Sequence, residues 1–252
     1  MSVTKTAVSQ SYTPGESIAY AVSIVNSGAA AVTGLTVTDD LGGFEFEGET
    51  VYPLEYVDGS LLYLVNGVPQ AAPAVTAGPP ASVTGLEIPA GGNAVLIYEA
   101  RVTRFAPLGE DAAIVNTVTV EGGCEPLTAT ATVTMAEEAE LTLSKAVSPE
   151  TVDGCGELTY TFAIRNAGGA EADAADAVVV TDTFDPILNG IEVTLNGTAL
   201  AADTGYTYDE TTGAFATVAG QIAVPAATYT QNEDGSWTAA PGVTVLTVTG
   251  TL

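Results

Sequence analysis

A few residues in this chain are of types that do chemistry together: the two lysines, Lys5 and Lys145, the aspartates Asp39 and Asp182, and the asparagine Asn116. Side chains alternate across a strand. Val3, Lys5 and Ala7 therefore share one face, as do Leu141, Leu143, Lys145 and Val147. Leu35, Val37 and Asp39 share another, matched by Val178, Val180 and Asp182, and Asn116 lies in line with Ile114, Val118 and Val120. Each polar group is thus expected on the apolar side of its own strand, where burial alone is costly. Burial among aliphatic residues drives a lysine towards the neutral amine, which is its nucleophilic form. A carboxyl group kept neutral can donate a hydrogen bond that polarises a carbonyl, and a carboxamide offers such a carbonyl. The same residues also fit an ordinary buried Lys5–Asp39 ion pair, with Asn116 hydrogen-bonded to backbone.

The elements that must position these groups come as two copies. Lys5, Tyr20, Asn26 and Gly28 recur as Lys145, Tyr160, Asn166 and Gly168, and Thr38-Asp39 recurs as Thr181-Asp182. Val65-Asn66-Gly67 matches Leu195-Asn196-Gly197, and Val95-Leu96 matches Val245-Leu246. Ile18, Tyr20, Val22 and Ile24 alternate as a buried face, and Leu158, Tyr160, Phe162 and Ile164 repeat it. Asn-Gly at 66–67 and 196–197 signals hairpins. Further hairpins are expected from Tyr206 to Phe215 and from Tyr229 to Trp237, and 68–92, rich in Pro, Gly and Ala, reads as a long surface loop. No amphipathic helix is expected.

The implied organisation is all-β: two tandem immunoglobulin-like sandwich domains, 1–135 and 141–252, joined by a short acidic linker at 136–140. The short linker implies an extended, end-to-end arrangement. The first copy continues past Val102 with strands Ile114 to Val120 and Leu127 to Met135; the second copy shows neither, and lacks its asparagine strand. The second copy thus reads as truncated, in preference to one that borrows strands or closes differently, and an unpaired edge is expected there.

Composition narrows the function. Apolar residues make up 46% of the 252, too many and too regular for disorder. There are 31 acidic residues against 5 basic and no histidine, a net charge of −26. Such a surface repels phosphate backbones and anionic lipid, which argues against nucleic-acid or membrane partners in this segment. It suits an extracellular protein. No apolar run is long enough to span a bilayer and no signal peptide opens the chain. A Met-Ser start running straight into a strand reads as a piece of a longer precursor. Cys124 and Cys155 sit in separate turns expected at opposite ends of the molecule, so no bridge between them is expected.

At this point the order of motifs matches a family. Lys5 lies in the first strand, followed by the strand from Gly15 to Gly28 and by Val37-Thr38-Asp39-Asp40-Leu41. Val65-Asn66-Gly67 and Val115-Asn116-Thr117-Val118-Thr119-Val120 follow. This series resembles the repeat domains of Gram-positive surface proteins, the DUF11 type and the similar fimbrial isopeptide-forming D2 (collagen-adhesin A-like) domains. The resemblance covers the first repeat throughout and most of the second. It implies Lys5 joined to Asn116 by an isopeptide bond, with Asp39 as the assisting acid. Lys145 and Asp182 match the same pattern but have no asparagine partner, so no second bond is expected. The implied role is a structural stalk or adhesin segment of a cell-wall-attached or pilus-like protein, with neighbouring repeats as partners. The alternative is a module that binds a host matrix protein or glycan without the bond.

Other residues point to weaker readings. Asp39-Asp40 with Glu45, Glu47 and Glu49 offers glycosidase-like carboxylates. However, the three glutamates alternate with Phe44, Phe46 and Gly48 like a solvated strand face, and no nucleophile elbow is present. No enzyme is expected beyond a single-turnover cross-link. Asp173, Asp176, Asp182 and Asp185 lack the loop spacing of a calcium site, so no metal or cofactor is expected. Tyr206, Tyr208, Phe215, Tyr229 and Trp237 read as cross-strand hairpin pairs or as a sugar-stacking platform.

Overall fold

The structure, a computed structural model, describes residues 1–154 and 156–252. The turn expected at Cys155 lies outside the described residues. The chain divides into unit 1, Met1–Ala136 with Tyr229–Thr238, and unit 2, Glu137–Thr228 with Ala239–Leu252. Among the described residues the only helical turn is a 3-10 turn at Ala174–Asp176. The fold class is all-β, as the alternating patterns predict.

Unit 1 begins with β1 (Ser2–Ala7), β2 (Ser11–Tyr12), β3 (Ser17–Val25), β4 (Val32–Asp39), β5 (Phe44–Phe46), β6 (Glu49–Val51) and β7 (Leu54–Tyr56). It continues with β8 (Leu62–Val65), β9 (Val68–Gln70), β10 (Val75–Thr76), β11 (Ala81–Ile88), β12 (Asn93–Val102), β13 (Ala113–Glu121) and β14 (Leu127–Met135). One sheet runs β1-β3-β12-β8-β9, with β7 also paired to β12; the other runs β10-β11-β4-β13-β14-β2. Their inner faces make one core. Tyr20, Val22 and Ile24 of β3 and Leu96 of β12 pack with Leu35 of β4 and Val118 of β13, all buried. Each aliphatic side chain so buried contributes about 1.5–3 kcal/mol. β1 forms the edge of the first sheet and packs beside β14 of the second.

The turns follow from local chemistry. Asn66 and Gly67 both have positive φ, as do Asn196 and Gly197. That is the type I′ geometry that matches strand twist in a two-residue hairpin. Two expectations need correction. The stretch 68–92 is no single loop: β11 runs through it with Ala81, Val83, Leu86 and Ile88 buried. Flanking Gly and Pro obscured its alternation, and Gly85, at positive φ, sits at a register shift that breaks the period. Likewise Glu45 and Glu49 do not share one strand, because Glu47 and Gly48 turn the chain between β5 and β6.

Unit 2 holds β15 (Leu141–Ser148), β16 (Glu157–Asn166), β17 (Thr181–Thr183), β18 (Asn189–Leu195), β19 (Thr198–Ala199), β20 (Tyr206–Asp209) and β21 (Ala214–Thr217). Then come β22 (Thr228–Gln231), β23 (Trp237–Ala240) and β24 (Gly242–Thr251). Its larger sheet, β15-β16-β24-β18-β19, repeats the first sheet of unit 1, while its second is only β17-β21-β20. A repeated latch fixes the equivalence. Asn26 Nδ2 donates to the carbonyl of Ile88, and Asn166 Nδ2 to that of Val224, while both side-chain oxygens accept from the glycine two residues on. β21 pairs with β17 at Asp182 as β11 pairs with β4 next to Asp39, so it stands where β11 does, and nothing among the described residues stands where β13 and β14 do. The face Leu141, Leu143, Lys145 and Val147, expected in a core, is exposed along its whole length because no strand covers it. The hairpin expected from Tyr229 to Trp237 is present as β22 and β23. Most of it packs in unit 1, where the Trp237 amide donates to the Arg104 carbonyl and Arg104 pairs with Asp234 at 3.5 Å.

Candidate functional site

Unit 1 brings the first set of polar residues into one place. Lys5 lies on β1 opposite Val22 of β3, and its side chain points into the core. Asp39 ends β4 on the facing sheet, where the Lys5 amine meets Asp39 Oδ2 at 2.8 Å. Val118 of β13 is opposite Asp39, so Asn116, two residues back on the same buried face, is the diagonal neighbour of Asp39. The main chain locks that register: the Asp40 amide donates to the Thr117 carbonyl, and Thr117 N–H donates to Asp40 Oδ1 at 2.8 Å.

Two tyrosines complete the setting, and sequence reasoning did not assign either to the site. Tyr98 of β12 donates its hydroxyl to Asp39 Oδ2. Tyr20 of β3 stacks on Tyr98 at 5.9 Å and lies under the Lys5 amine at 5.0 Å. Tyr20 recurs in the second copy as Tyr160, but Val248 occupies the place of Tyr98 opposite it. A tyrosine in an alternating strand reads as core, and only the facing sheet reveals what its hydroxyl meets.

Burial acts against the charge on both groups of the pair. Burial pushes the Lys5 amine below its ordinary range, against the pull of the Asp39 charge and hydrogen bond and of Asp40. Burial likewise pushes the Asp39 carboxyl up, against Lys5 and the Leu41 amide, which donates to Oδ1 at 2.8 Å. Both shifts run towards a neutral amine and a protonated carboxyl.

Asn116 is fully buried, and neither its amide nitrogen nor its oxygen has a hydrogen-bond partner. It lies close enough to the Tyr20 hydroxyl to influence it, yet the two complete no hydrogen bond. An unsatisfied buried polar group costs about 1–3 kcal/mol. The backbone partner required by the simple ion-pair reading is missing. Beside the group, Val22, Val37, Asp39, Leu96, Tyr98 and Val118 border a cavity of about 30 Å³, room for one water-sized molecule.

In unit 2, Lys145 pairs with Asp182 and lies over the rings of Tyr160 (4.7 Å), Phe184 (5.5 Å) and Phe162 (5.6 Å). Its side chain is 40% exposed, whereas that of Lys5 is 0%. The remaining candidates do not assemble into sites. Asp173 and Asp176 form the capping box of the 3-10 turn. Tyr206, Tyr208 and Phe215 pack with Phe184 in the core of unit 2, whereas Tyr229 and Trp237 pack against that of unit 1. Among the described residues no group of three or more acidic or sulfur ligands is placed to hold a metal, and no helix is long and apolar enough to cross a membrane.

No protein-family model matches the chain, and neither does any curated protein. Among solved structures it is similar to the collagen-binding domain of a Staphylococcus aureus adhesin, at 14% identity and a TM-score of 0.33, covering 52% of this chain and 97% of that one. It is similar to the pilus backbone of Streptococcus pneumoniae at 11% identity and 0.39, covering 95% of this chain and 49% of that one. For the major pilin subunit of Bacillus cereus the values are 12% and 0.38, covering 96% and 65%. The chain thus spans about half the length of the pneumococcal protein and 65% of the Bacillus one.

Proposed function

We propose that this chain is a structural segment of a bacterial cell-surface or pilus-like protein, and that unit 1 staples itself with a Lys5–Asn116 isopeptide bond. The observation that carries the reading is the orphaned carboxamide of Asn116, buried beside a lysine–aspartate pair that burial drives towards neutrality. The neutral Lys5 Nζ attacks Cγ of Asn116 while the Asp39 carboxyl, oriented by Tyr98 and the Leu41 amide, donates a hydrogen bond to the carboxamide oxygen. The Nζ–Cγ bond forms, the Cγ–Nδ2 bond breaks, and one of the two amine protons leaves with Nδ2 as ammonia, for which the adjacent cavity has room, while the other stays on the new amide nitrogen. Asp39 ends with the proton it began with. The reaction runs once and leaves no enzyme behind.

The bond ties the first strand to a late one and encloses most of unit 1, which suits a segment that bears mechanical load outside the cell. The strongly negative surface accords with that setting. Intact-mass measurement tests the bond. The chain is expected to weigh one ammonia less than its sequence, and Lys5→Ala, Asn116→Ala and Asp39→Ala are each expected to restore the full sequence mass. A wild-type mass equal to that of the sequence would falsify it.

A further inference from the structure

The ring of Tyr20 has a structural role, but its hydroxyl has none in the resting fold. The ring lies under the Lys5 amine at 5.0 Å and stacks on Tyr98 at 5.9 Å, and Tyr160 repeats the first contact under Lys145 at 4.7 Å. A phenylalanine ring would serve both purposes. The hydroxyl is fully buried and has no hydrogen-bond partner. Buried tyrosine hydroxyls usually find one, and an unmet polar group costs stability. It is one of three such atoms at this site, the other two being the oxygen and nitrogen of the Asn116 carboxamide.

Strand register explains why they meet. Lys5 stands opposite Val22, so Tyr20, two residues back on the same buried face, is its diagonal neighbour. Asn116 holds the corresponding place beside Asp39 on the facing sheet. Tyr20 and Tyr98 are direct partners across β3 and β12, but their hydroxyls part company. That of Tyr98 donates to Asp39, whereas that of Tyr20 comes near Asn116 and completes no bond. Donors that serve a transition state are aimed at where charge develops, not at the ground-state oxygen, so a bond left incomplete at rest suits them.

We propose that the Tyr20 hydroxyl is a second hydrogen-bond donor to the Asn116 carboxamide oxygen, beside the Asp39 carboxyl, and that its bond completes only as that oxygen gains negative charge. The proposal rests on the Lys5–Asn116 reading. As Nζ attacks Cγ, the electron pair of the carbonyl moves onto oxygen, and the two donors hold the oxyanion between them. When the carbonyl re-forms, the Cγ–Nδ2 bond breaks and ammonia leaves with one proton from the amine. Tyr20 and Asp39 each keep their own proton. Burial pushes the Tyr20 hydroxyl well above its ordinary range, so it stays a donor throughout.

Tyr20→Phe removes the hydroxyl and keeps the ring. The whole chain, made by cell-free synthesis, is followed by intact mass from the moment of folding. The variant is expected to lose its ammonia about 10²-fold more slowly than wild type, the usual effect of removing one oxyanion donor. Equal rates overturn the role of Tyr20 and leave the bond standing. A wild-type chain that keeps its full sequence mass overturns the bond, and this role with it. Poor folding would also slow the variant, and stability in an unbonded background separates the two. Added to Asn116→Ala, Tyr20→Phe is expected to leave the guanidinium midpoint of Trp237 fluorescence unchanged or raised, because the hydroxyl it removes has no partner to lose. A lowered midpoint assigns the hydroxyl to packing and overturns the proposal.

Discussion

Units 1 and 2 carry the same lysine–aspartate pair, over the same tyrosine, in opposite states of cover. Lys5 is sealed between two sheets, with Tyr98 and the Leu41 amide donating to its aspartate and Asn116 beside it. Lys145 has Asp182 and three aromatic rings, yet it stands on a strand that faces solvent. The difference teaches that the pair alone does not make the site. The strands that close the sandwich both bury the pair and bring the carboxamide of Asn116 beside it.

The largest effect should come from breaking unit 1. With the proposed bond in place, Asn116→Ala or Lys5→Ala would open a ring spanning residues 5 to 116, a loss of about 5 kcal/mol by loop entropy for a closure of this length. Trp237, the sole tryptophan, packs on unit 1, so its fluorescence in a guanidinium titration reads that change. A midpoint unchanged from wild type would mean that no closure existed. Tyr98→Phe comes next. It takes one donor from Asp39 and should cost about 1–3 kcal/mol while slowing the loss of ammonia in freshly folded protein. Fast, complete loss in that variant would remove Tyr98 from the site.

Lys145→Ala should do much less, under about 1 kcal/mol, as is usual for a partly exposed ion pair. Circular dichroism of the unit 2 transition measures it, and a loss as large as that at Lys5 would erase the contrast between the units.

The smallest effect concerns pH and needs the unbonded Asn116→Ala chain. Burial holds the folded Asp39 carboxyl above its ordinary 3.8. As pH rises past that value the unfolded chain releases its proton first, so this group's contribution to stability falls until the folded carboxyl ionises. Lys5 acts in the opposite sense: its folded pKa lies below 10.5, so stability rises as pH climbs from the folded value towards 10.5. Comparing Asn116→Ala with the Asn116→Ala, Asp39→Asn double variant isolates the acid-side slope from that of the other carboxylates. Parallel curves as pH rises past 3.8 would show that Asp39 titrates normally.

Much of this was legible in the chain itself. Alternation in Ile18 to Ile24 and Leu158 to Ile164 marked the central strands, and the two Asn-Gly pairs marked their hairpins. β11 was hidden because its glycine bulge and flanking prolines imitate a loop. The hairpin at Tyr229 was recognised as a hairpin, but the unit it packs on depends on contacts with Arg104, far away in sequence. Tyr98 was missed for a similar reason, since the group its hydroxyl meets belongs to the opposite sheet.

The sequence by itself determined the two copies, the all-β pattern, the charge, and the presence of a lysine and an aspartate at matching places, because period and composition are local properties. Only the tertiary structure decided which pair is sealed. Burial is not carried by a strand's own residues: Leu141, Leu143 and Val147 are at least as apolar as Val3 and Ala7, and they lie bare. What separates Lys5 from Lys145 is the pair of strands at 113–121 and 127–135, which reach β1 from more than a hundred residues away and have no described counterpart over β15.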